Sequence, residues 1–128
     1  MKFLLDTHIL IWSATEPERL SPAAQELLKE LANQFVFSTT SIWEIAIKFG
    51  LGRRGFQFDP RLLRGGLFTQ GFTELPLTSD HAVAVAGLPL VHRDPFDRIL
   101  IAQAIVEDIP LVTSDPVIAK YSCPLRVV

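Results

Sequence analysis

The sequence of 128 residues contains a single cysteine, Cys123, so neither an internal disulfide framework nor a cysteine-based zinc site can form. No stretch reaches the roughly 18 uninterrupted apolar residues that a membrane-spanning helix needs. Asp6 and His8 interrupt the amino-terminal apolar run almost at once, which argues against a signal peptide. These absences lead us to expect a protein of the reducing cytoplasm.

The chain also lacks an excess of positive charge. It has 12 Lys and Arg residues against 14 Asp and Glu residues, a formal net charge of -2. If nucleic acid is the substrate, a local basic patch or a metal ion must attract it. Hydrophobic residues make up 48% and charged residues 20%, which is the balance of a globular protein. We expect one domain over residues 1–128.

Short apolar runs without polar alternation are separated by segments with helical signals. The predicted strands are Lys2–Leu5, Phe35–Phe37, Glu74–Leu77, Pro110–Thr113 and Leu125–Val128. The predicted helices are Ile9–Trp12, Pro22 through Leu31 capped by Ser21, Ile42–Phe49, a short one around Pro60–Leu63, Ser79–Ala86, Pro95 through Val106 capped by Asp94, and a short one opened by Asp115 and Pro116. This alternation predicts an α/β fold with a parallel sheet covered on both faces.

Four acidic residues follow predicted strands or stand in first helical turns: Asp6, Glu44, Asp97 and Asp115. In a doubly wound sheet such positions converge on one crevice at the carboxyl ends of the strands. A cluster of carboxylates suits a hard cation such as Mg²⁺. The pattern therefore favours metal-assisted phosphodiester chemistry.

Each acid also has a structural explanation when it is taken alone. Asp115 is in the position of a helix N-cap, and Glu44 follows Ser41 at capping-box spacing. Asp97 could stabilise a helix start through the macrodipole. Asp6 is the hardest to explain, because an ionisable group directly after a buried strand needs a partner.

Convergence of the four acids at one place would favour the metal site over these separate structural explanations. At separations of about 5 Å and an effective dielectric near 20, each pair of carboxylates repels by roughly 3 kcal/mol. The sum over the pairs is comparable with the stability of a whole domain, about 5–15 kcal/mol. A converged cluster must therefore be neutralised by protons, by Lys or Arg, or by divalent cations.

Four blocks of sequence together resemble PIN domains and, more narrowly, VapC-type ribonuclease toxins of bacterial type II toxin–antitoxin pairs. The blocks are Phe3–His8, Ser41–Lys48, His92–Arg98 continuing into Ile99–Ala104, and Leu111–Asp115. The resemblance implies a PIN-like three-layer α/β/α fold with a central parallel sheet of about five strands and a homodimer. It also implies endoribonuclease activity dependent on Mg²⁺ or Mn²⁺, and an antitoxin partner that blocks the site.

By position, the acidic quartet of the family falls on Asp6, Glu44, Asp97 and Asp115, which become the expected catalytic and metal-binding residues. Asp6 and Asp97 would be the principal ligands. Glu44 and Asp115 would complete the pocket, by holding a second ion or by orienting the attacking water. We assign Asp94 to capping a helix, because a proline follows it directly.

Several other residues receive predictions. Lys48, Arg53 and Arg54 form the best local basic group, either a contact for the RNA backbone or an ordinary exposed loop. Arg98 could pair with an acid, contact RNA or be solvated. Thr7, Thr113 and Ser114 stand beside the acids, where they could bind a phosphate or a water ligand or satisfy strand-end backbone groups.

The histidines and large aromatic residues are predicted to be structural. His8, His81 and His92 lack metal-ligand spacing, and Trp12, Trp43 and Phe49 are expected in the core. The helix Ile42–Phe49 could instead offer an apolar stripe to an antitoxin helix or a second subunit.

Two other classes of protein also place acids at strand ends. A Mg²⁺-binding receiver-like regulatory module would want a second acid beside Asp6 and a lysine after the Leu111–Thr113 strand, and neither is present. An aspartyl-phosphate phosphatase would want an acid two residues after Asp6, where the chain has His8.

Overall fold

The computed structural model describes all residues, 1–128, and contains a five-stranded parallel sheet with helices on both faces. The strands are β1 (Lys2–Leu5), β2 (Gln34–Ser38), β3 (Thr73–Leu75), β4 (Leu111–Thr113) and β5 (Leu125–Val127). The helices are α1 (Thr7–Thr15), α2 (Pro22–Lys29), α3 (Thr39–Gly50), α4 (Pro60–Thr69), α5 (Ser79–Ala84) and α6 (Pro95–Glu107). The predicted α/β class and strand number are confirmed.

The strand order is β3-β2-β1-β4-β5, so the chain first builds outward from β1 on one side and then crosses to the other. The switch point falls between β1 and β4, where Leu4 pairs with Leu111 and Leu5 with Val112. In open α/β sheets, ligands bind outside the carboxyl ends of the strands at this point. Asp6 follows β1 there, and Asp115 follows β4.

Alternation along the strands separates two cores. Phe3 and Leu5 pack on one face of the sheet with Phe37 and Leu67, while Leu4 packs on the other face with Leu100. Helices α1, α2 and α4 cover the first face, and α6 covers the second. This arrangement gives the three-layer α/β/α architecture, in which every central strand is buried on both sides. None of the helices is both long and apolar enough to cross a membrane.

The helix boundaries differ from the predicted ones in instructive places. Helix α3 begins at Thr39 and is capped by Ser38, whose hydroxyl accepts a hydrogen bond from the backbone of Thr40 at 3.0 Å. The predicted capping box between Ser41 and Glu44 is therefore wrong, because both residues lie inside the helix. Helix α4 runs to Thr69 rather than ending near residue 63.

The carboxyl-terminal third is less regular than predicted. The helix expected from residue 79 to 86 ends at Ala84 and continues as a 3₁₀ turn, Val85–Gly87. The short helix expected after Pro116 is only a 3₁₀ turn, Ile118–Lys120. Helix α6 matches its prediction: Pro95 is its first residue, and the Asp94 carboxylate accepts a hydrogen bond from the Phe96 backbone at 2.9 Å.

Candidate metal centre

A polar cleft of about 410 Å³ opens at the carboxyl ends of β1 and β4. All four carboxylates singled out in the sequence line it: Asp6, Glu44, Asp97 and Asp115. The other lining residues are His8, Trp12, Lys48, His92, Asp94 and Ser114. We call this space the acidic cleft. Folding therefore brings together side chains that are spread over nearly the whole chain.

Asp6 lies at the floor of the acidic cleft, with 5% of its surface exposed. The hydroxyl of Thr113 donates to its Oδ2 at 2.7 Å and joins the ends of β1 and β4. Burial raises the pKa of Asp6, and the Thr113 hydrogen bond opposes that shift only in part. Asp6 is the N-terminal flanking residue of α1, but its side chain makes no cap hydrogen bond, so its oxygens stay in the cleft.

Asp115 is held by the same threonine. Its backbone N–H donates to the Thr113 hydroxyl at 3.0 Å, and its Oδ1 accepts from the Val117 backbone at 2.8 Å. The capping role foreseen for Asp115 is absent: its Oδ1 closes a turn onto Val117, which is itself the N-cap of the 3₁₀ turn and has no side-chain cap. Only one oxygen is used for this turn, so Oδ2 remains directed at the cleft.

Glu44 projects from the middle of α3 and is almost wholly buried, at 2% exposure. Its Oε2 lies 2.6 Å from the ammonium of Lys48, one turn along the helix. Its Oε1 is buried without any hydrogen-bond partner. Burying an unsatisfied carboxylate oxygen costs free energy unless a ligand completes it.

Asp97 stands in the first turn of α6, where its neighbours are mostly anionic. Burial and the carboxylates of Asp6, Asp94, Glu44 and Asp115, in that order, raise the pKa of Asp97 to about 8. The group therefore holds a proton at neutral pH when no cation is present. A bound cation would displace that proton.

His92 is the functional residue that the sequence reasoning missed. Its Nε2 lies 2.9 Å from Asp97 Oδ2 and 3.5 Å from Asp115 Oδ2. The Asp94 backbone N–H donates to Nδ1 at 3.2 Å, so Nδ1 is an acceptor and the neutral ring carries its proton on Nε2. The Nε2 N–H of His92 therefore lies against the carboxyl groups of both Asp97 and Asp115. The spacing of the histidines along the sequence could not reveal this contact. The position of His92 in the block His92–Arg98, five residues before Asp97, does indicate that it lies near the site.

A brace behind the acidic cleft holds His92 in place. The Tyr121 hydroxyl accepts from the His92 backbone N–H at 2.7 Å and from the Arg98 guanidinium at 3.2 Å. Arg98 also donates to the carbonyl oxygens of Pro89 at 2.9 Å and Val85 at 3.4 Å. Arg98 thus organises the loop before α6 and contacts none of the acids, unlike the ion pair considered from the sequence.

The residues of the acidic cleft fit a divalent cation. The donors are carboxylate oxygens, one of them buried without a partner, and two of the acids have raised pKa values. Ligand oxygens of Asp97 and Asp115 lie within 4.8 Å of each other, close enough to share one ion. Oxygen-rich sites of this kind suit Mg²⁺ or Mn²⁺.

Two of the other residues considered from the sequence, Thr7 and His81, have structural roles. The Thr7 hydroxyl is buried against that of Ser41 at 2.9 Å, and His81 is buried in a capping box with Thr78, so both have structural roles. Ser114 lines the acidic cleft. Lys48 is paired with Glu44 in the cleft, so the basic group expected on the surface loses one member.

Two of the three aromatic residues expected in the core, Trp43 and Phe49, are exposed, in line with the alternative of an apolar surface on Ile42–Phe49. Trp43 is 57% exposed and Phe49 is 42% exposed. Trp43, Ile47 and Leu51, spaced four residues apart, form an exposed apolar stripe that runs along α3 to its C-terminal cap, and Phe49 lies on a different side of the helix. Trp12 is half-buried at the edge of the core. Side chains at helical spacing cannot by themselves indicate which helix face has a partner inside the same chain.

The fold and the acidic cleft define a doubly wound α/β protein with a carboxylate site at its switch point. The chain matches the PIN domain family over residues 3–122 and belongs to that family. This finding confirms the family resemblance noted in the sequence.

Two solved structures have a similar fold. A chain in the crystal structure of VapBC2 from Rickettsia felis bound to a DNA fragment from their promoter superposes with a TM-score of 0.74 at 15% identity, covering 99% of this chain and 98% of that one. A chain of a toxin–antitoxin complex from Klebsiella pneumoniae superposes with a TM-score of 0.65 at 18% identity, covering 98% and 96%. No curated protein sequence matches the chain.

Proposed function

We propose that this chain is a nuclease domain, active as a Mg²⁺- or Mn²⁺-dependent endoribonuclease and acting as the toxin of a type II toxin–antitoxin pair. The observation that carries the proposal is the acidic cleft: four carboxylates remote in sequence meet at the switch point of a PIN-family fold. The substrate class, RNA, rests on the sequence resemblance to VapC-type toxins. PIN family membership disfavours the receiver-like and phosphatase alternatives. The cytoplasmic location stays a prediction.

In this proposal the cation is held mainly by Asp6 and Asp97, with Glu44 and Asp115 completing the pocket. Because Mg²⁺ keeps several of its waters, not every acid needs to contact it directly. When bound, the cation supplies a water of lowered pKa and stabilises negative charge on phosphate oxygens.

The chain contributes positioning and charge balance. Thr113 fixes the Asp6 carboxylate at 2.7 Å, and His92 fixes that of Asp97 at 2.9 Å. Lys48 neutralises one oxygen of Glu44 and leaves the other free in the cleft. Residues such as these, which contact the ligands rather than the metal ion, orient the carboxylates before the cation binds.

The proposed protein partners, an antitoxin and a second copy of the chain, are supported by the exposed apolar stripe on α3. Trp43, Ile47 and Leu51, at successive four-residue spacings, expose 57%, 38% and 65% of their surface. Contiguous apolar surface of this kind is typical of protein–protein interfaces. The similar structures from Rickettsia felis and Klebsiella pneumoniae are toxin–antitoxin assemblies, in line with such a partner.

The test is cleavage of labelled cellular RNA by purified protein, with Mg²⁺, with Mn²⁺ and with a chelator. We expect cleavage only with a divalent ion, and its loss in Asp97→Asn. Arg61→Gln, which changes a 91% exposed side chain on α4, serves as a matched control and should retain full activity. Cleavage by Asp97→Asn at the normal rate, or by the wild type in chelator, would contradict the proposal.

A further inference from the structure

A second, smaller cleft borders the acidic cleft and is lined mainly by aromatic rings and arginine side chains. It encloses about 260 Å³, and its principal residues are His8, Trp12, Glu16, Arg19, Arg54 and Phe56. His8 and Trp12 line both spaces, so the two clefts are adjacent and share these side chains. We call it the side cleft. It lies between α1 and the loop after α3.

Aromatic rings form the wall shared by the two clefts. The His8 ring lies 5.7 Å from that of Trp12 and 6.1 Å from that of Phe56, between centroids. Phe56 is buried and fixes this wall to the core, while His8 is exposed. A flat base entering the side cleft would find a π surface already in place.

Cations form the outer wall. The Arg19 guanidinium lies 5.1 Å over the Trp12 ring, which orients its N–H groups. Its ion pair with Glu16, at 3.6 Å, joins two half-exposed side chains and is weak. Arg54 is exposed and makes no ion pair or side-chain hydrogen bond in the structure. Both guanidinium groups are therefore available to an anion.

The charge of the acidic cleft gives such cations a role beside the metal ion. A polyanion approaching four carboxylates on a chain of net charge -2 is repelled until the bound ion and positive side chains close by offset the repulsion. Lys48 is committed to Glu44, and Arg98 to backbone carbonyls and a tyrosine hydroxyl. Arg19 and Arg54 line the adjoining side cleft, and neither has a strong ion-pair partner of its own.

We propose that the side cleft binds one unpaired nucleotide of the RNA substrate, next to the phosphate that enters the acidic cleft. The base stacks against the wall formed by the His8 and Trp12 rings, on the side of Trp12 that Arg19 does not cover, and the flanking phosphate is held by Arg54 and Arg19. Bases inside a duplex are stacked on their neighbours and are not free to enter the cleft, so the base comes from an unpaired segment. This inference rests on the proposed function and adds that the RNA substrate needs an unpaired nucleotide beside the phosphate that is cleaved.

The experiment is binding of a fluorescent single-stranded RNA oligonucleotide, followed by anisotropy across a salt series in an Asp97→Asn background that keeps the RNA intact. Arg54→Gln and Arg19→Gln should each weaken binding severalfold and each lower the salt slope by about one. Trp12→Leu should weaken binding of the single strand about tenfold, while Trp12→Phe, which keeps a ring, should weaken it much less. Arg61→Gln, an exposed arginine outside both clefts, is the matched control.

A second readout uses the two tryptophans. In a Trp43→Phe background Trp12 is the sole indole, and stacking of a base should quench its fluorescence with single-stranded but not with duplex RNA. Thermal unfolding of each variant checks that Trp12→Leu still folds, and Arg54→Gln tests the proposal on an exposed loop residue.

The outcomes separate this inference from the proposed function. If the wild type cleaves RNA but the side-cleft variants bind and cleave as it does, the nuclease stands and the side-cleft proposal falls. Quenching of Trp12 without cleavage under any metal would support the side cleft and contradict the nuclease. If the wild type neither binds nor cleaves single-stranded RNA, or if these variants weaken only binding of a protein partner, the side-cleft proposal is overturned.

Discussion

The Thr113 hydroxyl donates a hydrogen bond of 2.7 Å to the Asp6 carboxylate, although the two residues are 107 positions apart. The same hydroxyl accepts from the Asp115 backbone at 3.0 Å. One side chain therefore fixes acids that follow two neighbouring strands. This relationship makes the acidic cleft a built site and not a chance gathering of surface charge.

Replacing Thr113 by Val should test that role. The variant keeps the shape but leaves the buried Asp6 without its donor, which should cost about 1–3 kcal/mol of unfolding free energy. Mn²⁺ affinity, measured by calorimetry, should fall about tenfold because the ligand is no longer oriented. Thr113→Ser restores the hydroxyl and should recover most of both. Unchanged Mn²⁺ affinity in the Val variant would show that Thr113 does not orient Asp6 as a metal ligand.

Replacing His92 by Leu removes the N–H that bridges Asp97 and Asp115. We expect Mn²⁺ affinity to fall about tenfold, as it does when an outer partner of a metal ligand is lost. Electron spin-echo spectroscopy of Mn²⁺ bound to the wild type should show no directly coordinated nitrogen, because Nε2 carries the proton. Coupling to a directly bound imidazole nitrogen would show instead that His92 is itself a ligand.

The ion pair between Lys48 and Glu44 should stabilise the protein mainly when no cation is bound. Lys48→Gln leaves a carboxylate that is nearly buried beside other acids, and should cost about 1–3 kcal/mol in chelator. Saturating Mn²⁺ should recover most of this loss, since the cation replaces the missing charge. Urea unfolding with and without Mn²⁺ measures both. An equal loss in both conditions would contradict a shared electrostatic role.

The raised pKa of Asp97 predicts a pH dependence with a definite sign. The folded protein holds this proton up to about pH 8, whereas the unfolded chain releases it near the ordinary value of 3.8. The stability that the bound proton contributes is therefore present at low pH and is lost as the pH rises towards 8. The slope from this group is at most about 1.4 kcal/mol per pH unit.

Asp97→Asn, which has no proton to lose, provides the comparison. Urea unfolding in chelator at pH 5, 7 and 9 should show the wild type losing stability relative to the variant as the pH rises. Mn²⁺ should reverse the trend and stabilise the wild type more at pH 8.5 than at pH 6.5, because binding displaces the proton. Parallel curves for the two proteins would contradict the raised pKa.

Much of the fold could be predicted because its local signals agree. The strand Lys2–Leu5 was predicted with its observed bounds, and the Asp94–Pro95 start of α6 was found from its capping chemistry. Helix α4 was predicted too short because Gly65 and Gly66 are poor helix formers. Burial of Leu63 and Leu67 overrides that propensity.

The site was partly predictable for a different reason. Asp6 and Asp115 follow neighbouring strands and Asp97 stands in the first turn of a helix, so topology could predict their convergence, whereas Glu44 lies in the middle of α3. Donors such as His92 and Thr113 act through distances that only the folded chain fixes. The exposure of Trp43 was missed for a related reason: a helix pattern shows an apolar face but not what covers it.

The most direct test of the central claim is anomalous diffraction from a crystal of the wild-type protein soaked in Mn²⁺. The account predicts a peak in the acidic cleft, within coordination distance of carboxylate oxygens of Asp6 and Asp97, and no such peak in Asp97→Asn. An empty cleft at saturating Mn²⁺, or a peak elsewhere on the molecule alone, would contradict it.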